Sequence, residues 1–300
     1  NIITFDSGDL GINYYEQSFV LNLEKSLFEI IAFSFGPDKK DEWRQRAVNS
    51  FDKFIDVRHK SDLEVSMIAR EMEIDIAVDL KGYTRDCRPK IFVESCAPIQ
   101  VSFLGYPGTM ATDFIDYLIA DQTLIPKEKR AHYSEKIAYM PYSYQVNVSN
   151  RDVSQDPVSR YEHGLPKKGF VFCCFNNNYK ITISVFSVWM RILLAVEDSV
   201  LWLLENESIT KKNLIQEAEK FGINKDRLVF AKMVPVEDHL SRIRLADLFI
   251  DTLPCNAHTT ASDALRMGVP VLTCLGESFA SRVAASLLSA LKLHSLITSN

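Results

Sequence analysis

A predicted strand, a polar loop and a helix start follow one another over residues 251–263 (DTLPCNAHTTASD). Thr260 and Asp263 are spaced as in a capping box, so we expect a helix to begin near Thr259 and Thr260. The free amides and positive dipole end of such a helix bind anions, and the two hydroxyl groups add donors. The segment therefore predicts a phosphate site. The alternative is an ordinary helix cap with His258 hydrogen-bonded in the loop.

Two further segments carry polar groups near predicted strand ends. Lys180 closes the run 175–180 (FNNNYK), where a lysine can neutralise a phosphate unless it is only a solvated side chain in a turn. His239 and Arg242 are three residues apart on one face of a predicted helix. A ring and a guanidinium group at that spacing can flank a nucleobase, although an ordinary surface helix fits equally well.

The segment 104–108 (LGYPG) follows another predicted strand. Gly105 and Gly108 allow backbone amides to approach a ligand closely, whereas a structural turn is the simpler interpretation. No Asp-x-Asp pair, no His/Cys cluster with ligand spacing, no Gly-x-Ser-x-Gly motif and no Walker loop occurs. We therefore expect no metal and no cofactor.

Short apolar runs alternate with longer amphipathic segments, which is typical of parallel sheets covered by helices. The predicted strands are 28–35, 74–80, 99–104, 117–120, 170–175, 200–204, 228–230, 248–251 and 269–273. The predicted helices are 15–25, 41–49, 62–72, 183–196, 210–221, 236–245, 260–267 and 281–291.

The length of 300 residues favours two domains. We expect an α/β fold with two Rossmann-like, doubly wound domains that face a cleft. Residues 146–168 are polar, weakly periodic and predicted to be a linker between an N-terminal half (1–145) and a C-terminal half (169–300). We expect the chain, which begins without Met, to be a fragment with a truncated C-terminal half.

Charge and composition narrow the possible partners. The net charge of −5 argues against a nucleic-acid binder, whose surface would be basic. The longest unbroken apolar run, 170–175, is far shorter than the roughly 20 residues that span a membrane. The six cysteines form no Cys-x-x-Cys pair, so we expect reduced thiols and a cytoplasmic protein.

Taken together and in this order, the segments resemble the catalytic region of the protein O-GlcNAc transferase family, over roughly residues 28–293. The resemblance is carried by 79–84 (DLKGYT), 97–100 (APIQ), 104–109 (LGYPGT), 116–122 (DYLIADQ), 133–141 (YSEKIAYMP), 175–180, 199–204 (SVLWLL), 251–263 and 276–285 (GESFASRVAA).

This resemblance implies a GT-B fold and a metal-independent, inverting transferase that moves N-acetylglucosamine from UDP-GlcNAc to Ser or Thr hydroxyls of proteins. It implies diphosphate contacts from Lys180, Thr259 and Thr260. It further implies ribose contact from Asp263, sugar contact from His258, and uracil contact from His239 and Arg242.

The resemblance also assigns Leu104, Gly105 and Asn177 to substrate binding, and it places Asp75 where animal members have a histidine. Asp75 joins Lys180 and His258 as a candidate catalytic residue, while the identity of the general base stays open. The expected partners are a UDP-sugar donor and protein Ser/Thr acceptors, with no nucleic acid and no membrane. Tetratricopeptide repeats are expected in the full-length chain.

Two other functions remain open. One is a related transferase that uses UDP-glucose or acts on Asn, because the pocket for the N-acetyl group cannot be identified in the sequence. The other is a non-catalytic domain that binds UDP. It is suggested by residues 9–14, where the family's His-Pro pair is missing.

Overall fold

The computed structural model comprises two compact units, Asn1–Ser149 and Asn150–Asn300. The residues that it describes are 2–6, 26–37, 42–147 and 151–299.

Unit 1 contains a seven-stranded parallel sheet in the order β3-β2-β1-β4-β5-β6-β7. Its strands are β1 (Ile2–Asp6), β2 (Ile30–Ser34), β3 (Lys53–Asp56), β4 (Ile76–Asp79), β5 (Ile99–Ser102), β6 (Tyr117–Ala120) and β7 (Lys136–Tyr139). In the register of β4 and β5, Asp79 lies opposite Ser102, so the loops that follow these two strands leave the sheet side by side.

The described helices of unit 1 are α1 (Glu42–Ser50), α2 (Asp62–Glu71) and α3 (Lys90–Val93). Ser61 begins α2 with a capping box, because its hydroxyl accepts the Glu64 amide while the Glu64 carboxylate accepts the Ser61 amide. A 3-10 helix covers Lys127–His132.

Unit 2 contains a six-stranded parallel sheet in the order β10-β9-β8-β11-β12-β13. Its strands are β8 (Val171–Cys174), β9 (Val200–Leu204), β10 (Leu228–Ala231), β11 (Leu248–Ile250), β12 (Val271–Cys274) and β13 (Ile297–Thr298). Because β11 lies between β8 and β12, the loops after these strands meet at one edge of the sheet.

The described helices of unit 2 are α4 (Ile183–Ala195), α5 (Ser208–Lys220), α6 (Val236–Ile243), α7 (Thr259–Arg266) and α8 (Val283–Ala290). Short 3-10 helices cover Asn178–Lys180, Lys225–Arg227, Phe279–Ser281 and His294–Leu296.

The core of unit 2 lies between the sheet and helices such as α4. The buried residues of α4 follow helical spacing: Phe186, Trp189, Met190 and Leu193. Trp202 of β9 is fully buried in the same core, and each such large apolar side chain stabilises the fold by about 2–3 kcal/mol. The sheet and its covering helices confirm the expected α/β class.

In the segment predicted as a linker, 146–168, the described residues 151–168 belong to unit 2. Arg160 pairs with Asp247 at 2.8 Å and donates to the Gly169 carbonyl oxygen, and Leu165 is buried in the core. The unit boundary at residues 149 and 150 therefore leaves 151–168 packed on unit 2. Polar composition suggested a linker because the partners of these residues lie far away in sequence.

Some sequence predictions differ from the structure. Strands β1, β3, β7 and β13 and helix α3 were not predicted, and helix 281–291 is divided into the 3-10 helix Phe279–Ser281 and α8. The predicted helix 15–25 and the segment 9–14 lie outside the described residues. All six cysteines are free thiols, as expected. Within the described ranges, no helix is both long and apolar enough to cross a membrane.

Candidate functional site

The loop that follows β8 brings Lys180 to the carboxyl edge of the unit 2 sheet. Asn177 opens the short 3-10 helix Asn178–Lys180 by accepting the Tyr179 amide at 3.4 Å. The Lys180 ammonium group donates to the Asn256 carbonyl oxygen at 2.8 Å. Since an ammonium group has three donors, this bond leaves two for a ligand.

Helix α7 begins at the same edge, after the loop that follows β11. The helix starts at Thr259, and His258 is its N-cap residue without a side-chain capping bond. The predicted capping box of Thr260 and Asp263 is therefore wrong. Asp263 is buried, and its carboxylate pairs with Arg151, so it does not fold back on the helix start. The first amides of α7 are left to bind an acceptor from outside the helix.

Asn176 joins the two loops. Its Nδ2 atom donates to the Thr252 hydroxyl at 2.7 Å, and its Oδ1 atom accepts the Thr260 hydroxyl at 2.5 Å. The hydroxyl hydrogen of Thr260 is thus engaged within the protein. Thr259 has no hydrogen-bond partner for its hydroxyl among the described residues, so it is the threonine whose hydroxyl can still donate to a ligand.

His258 is held neutral. Burial, together with the Lys180 charge, lowers its pKa to about 4. Its Nε2 atom lies 3.3 Å from the Ala280 carbonyl oxygen. Because a carbonyl oxygen only accepts, this contact places the ring proton on Nε2 and leaves Nδ1 as an acceptor.

The structure brings His239 and Arg242 together on α6, but with Arg242 turned into the protein. Arg242 is only 3% exposed, and its guanidinium group donates to the Lys232 carbonyl oxygen at 2.7 Å and to His239 Nδ1 at 3.3 Å. The His239 ring packs edge-on against Phe175, with centroids 4.9 Å apart. Burial and the Arg242 charge lower the pKa of His239 to about 4. Of the two side chains, His239 is the more exposed and the better placed to contact a nucleobase.

Leu104 and Gly105 lie at the carboxyl edge of the unit 1 sheet, just after β5. A Cβ atom at Gly105 would lie 2.0 Å from the Leu80 carbonyl oxygen, so only glycine fits there. Gly108 has no such restriction, because its Cβ would meet nothing closer than 3.4 Å. We predicted that a ligand would closely approach the backbone at these glycines. At Gly105 the group that comes close is the backbone of Leu80.

Asp75 lies at the opposite edge of the same sheet. It directly precedes β4 and is exposed, whereas ligands of parallel α/β sheets bind beyond the carboxyl ends of strands. The structure therefore does not bring Asp75 together with Leu104 and Gly105. The resemblance suggested this residue, although the predicted strand 74–80 already placed it at the amino end.

Three residues of the unit 2 site were not predicted to act there: Asn176, Arg151 and Asp251. Asn176 and Asp251 each stand at the end of an apolar run, which is the one local signal that marks them. Arg151 has no such signal, because its partner is 112 residues away. Within the described ranges, no group of three or more His, Cys, Asp or Glu side chains is arranged to hold a metal ion.

Comparison with known proteins gives a consistent result. The sequence model of glycosyl transferase family 41 matches residues 3–156 and 146–300. The probable UDP-N-acetylglucosamine--peptide N-acetylglucosaminyltransferase SEC of Arabidopsis thaliana is 37% identical over 279 residues, which are 91% of this chain and 28% of that protein. The corresponding enzyme of Caenorhabditis elegans is 25% identical, over 98% of this chain and 35% of its own length.

A solved structure agrees with this over the whole chain. A mutant O-GlcNAc transferase of Thermobaculum terrenum superimposes with a TM-score of 0.91 at 29% identity, covering 100% of this chain and 57% of that one. The fold is thus of the GT-B type, and the resemblance to the O-GlcNAc transferases is confirmed. Because the family match extends through both units, the chain belongs to glycosyl transferase family 41.

Proposed function

We propose that this protein is an inverting glycosyltransferase that moves N-acetylglucosamine from UDP-GlcNAc to Ser and Thr hydroxyls of proteins. The relative from C. elegans is a UDP-N-acetylglucosamine--peptide N-acetylglucosaminyltransferase, and the one from Arabidopsis is a probable enzyme of the same kind. This chain spans only 28% and 35% of those two proteins, so the activity is inferred for the protein of which it forms part. One observation carries the proposal: the Lys180 ammonium group and the N-terminus of α7 both border the loop at Asn256.

The diphosphate of the donor is the group that fits this arrangement. The first amides of α7 and the positive end of its dipole favour an anion, and a lysine beside them adds a full positive charge. The Thr259 hydroxyl supplies a further donor. Lys180 keeps two donors after its bond to Asn256, enough to contact two phosphate oxygens.

The same groups supply the chemistry that the reaction needs. As the bond between the sugar and UDP breaks, negative charge grows on the diphosphate. Donors fixed in advance at that position lower the barrier more than they strengthen ground-state binding. We therefore propose that Lys180 and α7 take the part that a divalent cation plays in other transferases, and that turnover needs no metal.

The two neutral histidines have separate roles in this proposal. His258 offers its Nδ1 atom as an acceptor for a donor-sugar hydroxyl, since its Nε2 proton is directed to the Ala280 carbonyl oxygen. His239 provides a ring for the uracil, held by Arg242. Asp263 keeps its proposed place near the ribose, with Arg151 fixing its carboxylate.

For unit 1 we propose a role on the acceptor and sugar side, through the loop that begins at Leu104 and Gly105. Asn177, exposed beside Lys180, is proposed to contact substrate as well. The position of Asp75 at the amino edge of its sheet gives no support to a catalytic role. The general base is not assigned.

We also propose that tetratricopeptide repeats accompany this region in the full-length protein and recruit the acceptors. This rests on the resemblance and on the greater length of the relatives. The six free thiols favour a cytoplasmic location, where thiols stay reduced.

Transfer to a Ser/Thr peptide tests the proposal. The purified protein is incubated with UDP-GlcNAc or UDP-glucose, with and without EDTA, and the peptide mass is measured. We expect a GlcNAc adduct on a hydroxyl residue, unaffected by EDTA. A glucose or Asn adduct would support the related transferase, and UDP binding without transfer would support the binding domain. Activity lost with EDTA and restored by Mg²⁺ or Mn²⁺ would refute metal independence.

A further inference from the structure

Asp251 directly follows β11, and its carboxylate accepts hydrogen bonds from two backbone amides and from a hydroxyl of the neighbouring strand. Its Oδ1 atom accepts the backbone amides of Thr252 at 2.7 Å and of Ala257 at 2.6 Å. Its Oδ2 atom accepts the Thr273 hydroxyl of the neighbouring strand β12 at 2.6 Å. Asn176 Nδ2 also donates to Oδ1, at 3.3 Å.

These bonds close the loop 252–257 on itself. The amides that Asp251 binds are those of the first and last residues of this loop, so one carboxylate fixes both ends. Within the loop, the Thr252 hydroxyl donates to the Cys255 carbonyl oxygen at 2.7 Å, and Asn256 Nδ2 donates to the Thr252 carbonyl oxygen at 2.9 Å. The direction of the Asn256 carbonyl group is therefore set by bonds that lead back to Asp251.

That carbonyl group is the one that holds Lys180. The lysine Nζ atom donates to it at 2.8 Å, and Ala257 is followed at once by His258 and the start of α7. The loop thus connects the two anion-binding elements of the proposed diphosphate site. Neither the Lys180 ammonium group nor the first amides of α7 are bonded to Asp251, so both can face the phosphate.

We propose that Asp251 is a positioning residue for the diphosphate site: its carboxylate fixes the loop 252–257 so that Lys180 and the first amides of α7 face the same phosphate. The proposal rests on the proposed function, because it concerns the geometry of that site. Asp251 itself does not touch the donor.

The position of Asp251 disfavours the charged form of its carboxyl group. Burial raises the pKa of Asp251 to about 6, although the bonds from Thr273, Ala257 and Thr252 and the Lys180 charge favour the carboxylate. Taking a carboxylate out of water is unfavourable, and truncating or neutralising it leaves its donors unpaired. Asp251→Asn removes the charge and turns an amide hydrogen toward groups that already donate.

The same strand provides a matched control. Asp247 directly precedes β11, at the amino edge of the sheet, and its carboxylate accepts the Val171 amide and the Arg160 guanidinium group, each at 2.8 Å. Asp247→Asn therefore neutralises a hydrogen-bonded carboxylate at the end of β11 that faces away from the proposed site.

Calorimetric titration with UDP measures the effect, at a temperature well below the melting temperature of every variant. We expect Asp251→Asn to raise the Kd for UDP about tenfold, which corresponds to about 1.4 kcal/mol. Asp247→Asn should lower the melting temperature and leave the Kd within twofold. A Kd within twofold for Asp251→Asn, or an equal rise for both variants, would overturn the positioning role.

A milder pair keeps the test decisive if Asp251→Asn does not fold. Thr273→Val keeps the shape of the side chain but loses the hydroxyl bonded to Asp251, whereas Thr273→Ser keeps the hydroxyl. We expect weaker UDP binding for valine and wild-type binding for serine, and the reverse order or no difference would count against the proposal. A wild-type protein that does not bind UDP would overturn the proposed function itself, and the positioning role with it.

Discussion

In both units, side-chain carboxylates fix the loops that follow the strands, but the two units differ in the groups that border those loops. In unit 1, the Asp79 carboxylate accepts the amides of Lys81 at 2.9 Å and Gly82 at 3.0 Å. Glu135, which directly precedes β7, accepts the Thr109 hydroxyl at 2.6 Å and the Met110 amide at 2.5 Å, so it holds the loop after β5 from the amino end of another strand. These buried carboxylates fix the backbone of the loops that follow β4 and β5.

In unit 2, Asp251 accepts hydrogen bonds from a loop in the same way, but that loop also borders the proposed diphosphate site. Its Asn256 carbonyl group orients the Lys180 ammonium group, and its end leads into the N-terminus of α7. In both units, a carboxylate at the end of a strand fixes the following loop by accepting hydrogen bonds from its backbone amides. In unit 2, Lys180 and the N-terminus of α7 both border that loop.

Replacing Lys180 should have the largest effect on the function proposed for unit 2. Lys180→Ala should leave the loop and α7 in place but take away the positive charge that we propose meets the departing diphosphate. We expect turnover to fall about 10²- to 10³-fold, or about 3–4 kcal/mol, with a smaller effect on donor affinity. Steady-state rates with UDP-GlcNAc and an acceptor peptide provide the measurement.

The matched control is Lys220→Ala on α5, where the lysine is paired with Glu217 and exposed. It should keep turnover within about twofold, since exposed ion pairs contribute little. If Lys180→Ala also stays within a few-fold, Lys180 is only a solvated loop residue. A large fall in melting temperature would instead make its role structural.

In unit 1, Glu135→Gln should affect stability rather than donor binding. Glu135 is 5% exposed, and glutamine would place an amide group against the Thr109 hydroxyl and the Met110 amide, which both donate. We expect the free energy of unfolding of unit 1 to fall by about 2–3 kcal/mol. Urea denaturation measures it, with exposed Glu128→Gln as the control. A tenfold loss of UDP affinity would contradict the division of roles between the two units.

Acid should weaken unit 2 through its buried histidines. His258 and His239 have pKa values lowered to about 4, while the ordinary value is 6.5. Between these pH values the unfolded chain binds protons that the folded protein does not, so the free energy of unfolding falls as the pH is lowered. His239→Gln should flatten this fall in chemical denaturation between about pH 7 and pH 4. An unchanged slope would contradict it.

Asp251 contributes with the opposite sign. Its pKa is raised from 3.8 to about 6, so in that window the folded protein binds the extra proton and gains stability as the pH falls. Asp251→Asn removes this gain, and the fall in stability of the variant should be steeper than that of the wild type. A shallower dependence on pH for the variant would show that its carboxyl group does not titrate as described.

The smallest expected effect separates the two threonines of α7. The Thr260 hydroxyl is bonded to Asn176, whereas that of Thr259 has no partner in the described part of the chain. Thr259→Val should weaken UDP binding by about 1 kcal/mol and leave the melting temperature unchanged. Thr260→Val should lower the melting temperature, because it leaves Asn176 Oδ1 unpaired and buried. The opposite assignment of the two effects would refute this distinction.

The sequence predicted most of the strands, but it missed β1 inside the unit 1 sheet and the edge strands β3, β7 and β13. Buried strand β9 was predicted with its correct bounds, because all but one of its residues are buried and its apolar run is unbroken. Strand β3 was missed, since two of its four residues are exposed and its polar residues give no apolar run. Strand β7, at the other edge of the sheet, has no fully buried residue and failed for the same reason.

Within the site, the local features were predictable and the long-range bonds were not. The start of α7 and the position of Lys180 at a strand end follow from short patterns. Arg151 is the partner of Asp263 across 112 residues, and Asn176 reaches Thr252 across 76. Pairs at such separations leave no spacing signal, so the predicted capping box was wrong and the role of Asn176 was missed.

A structure of the protein with UDP bound tests the central claim most directly. We expect the diphosphate oxygens to lie within hydrogen-bond distance, about 2.7–3.2 Å, of Lys180 Nζ and of the first amides of α7. The loop 252–257 should keep its bonds to Asp251. A diphosphate more than one helical turn, about 5.4 Å, from Thr259 and Thr260 would contradict the account.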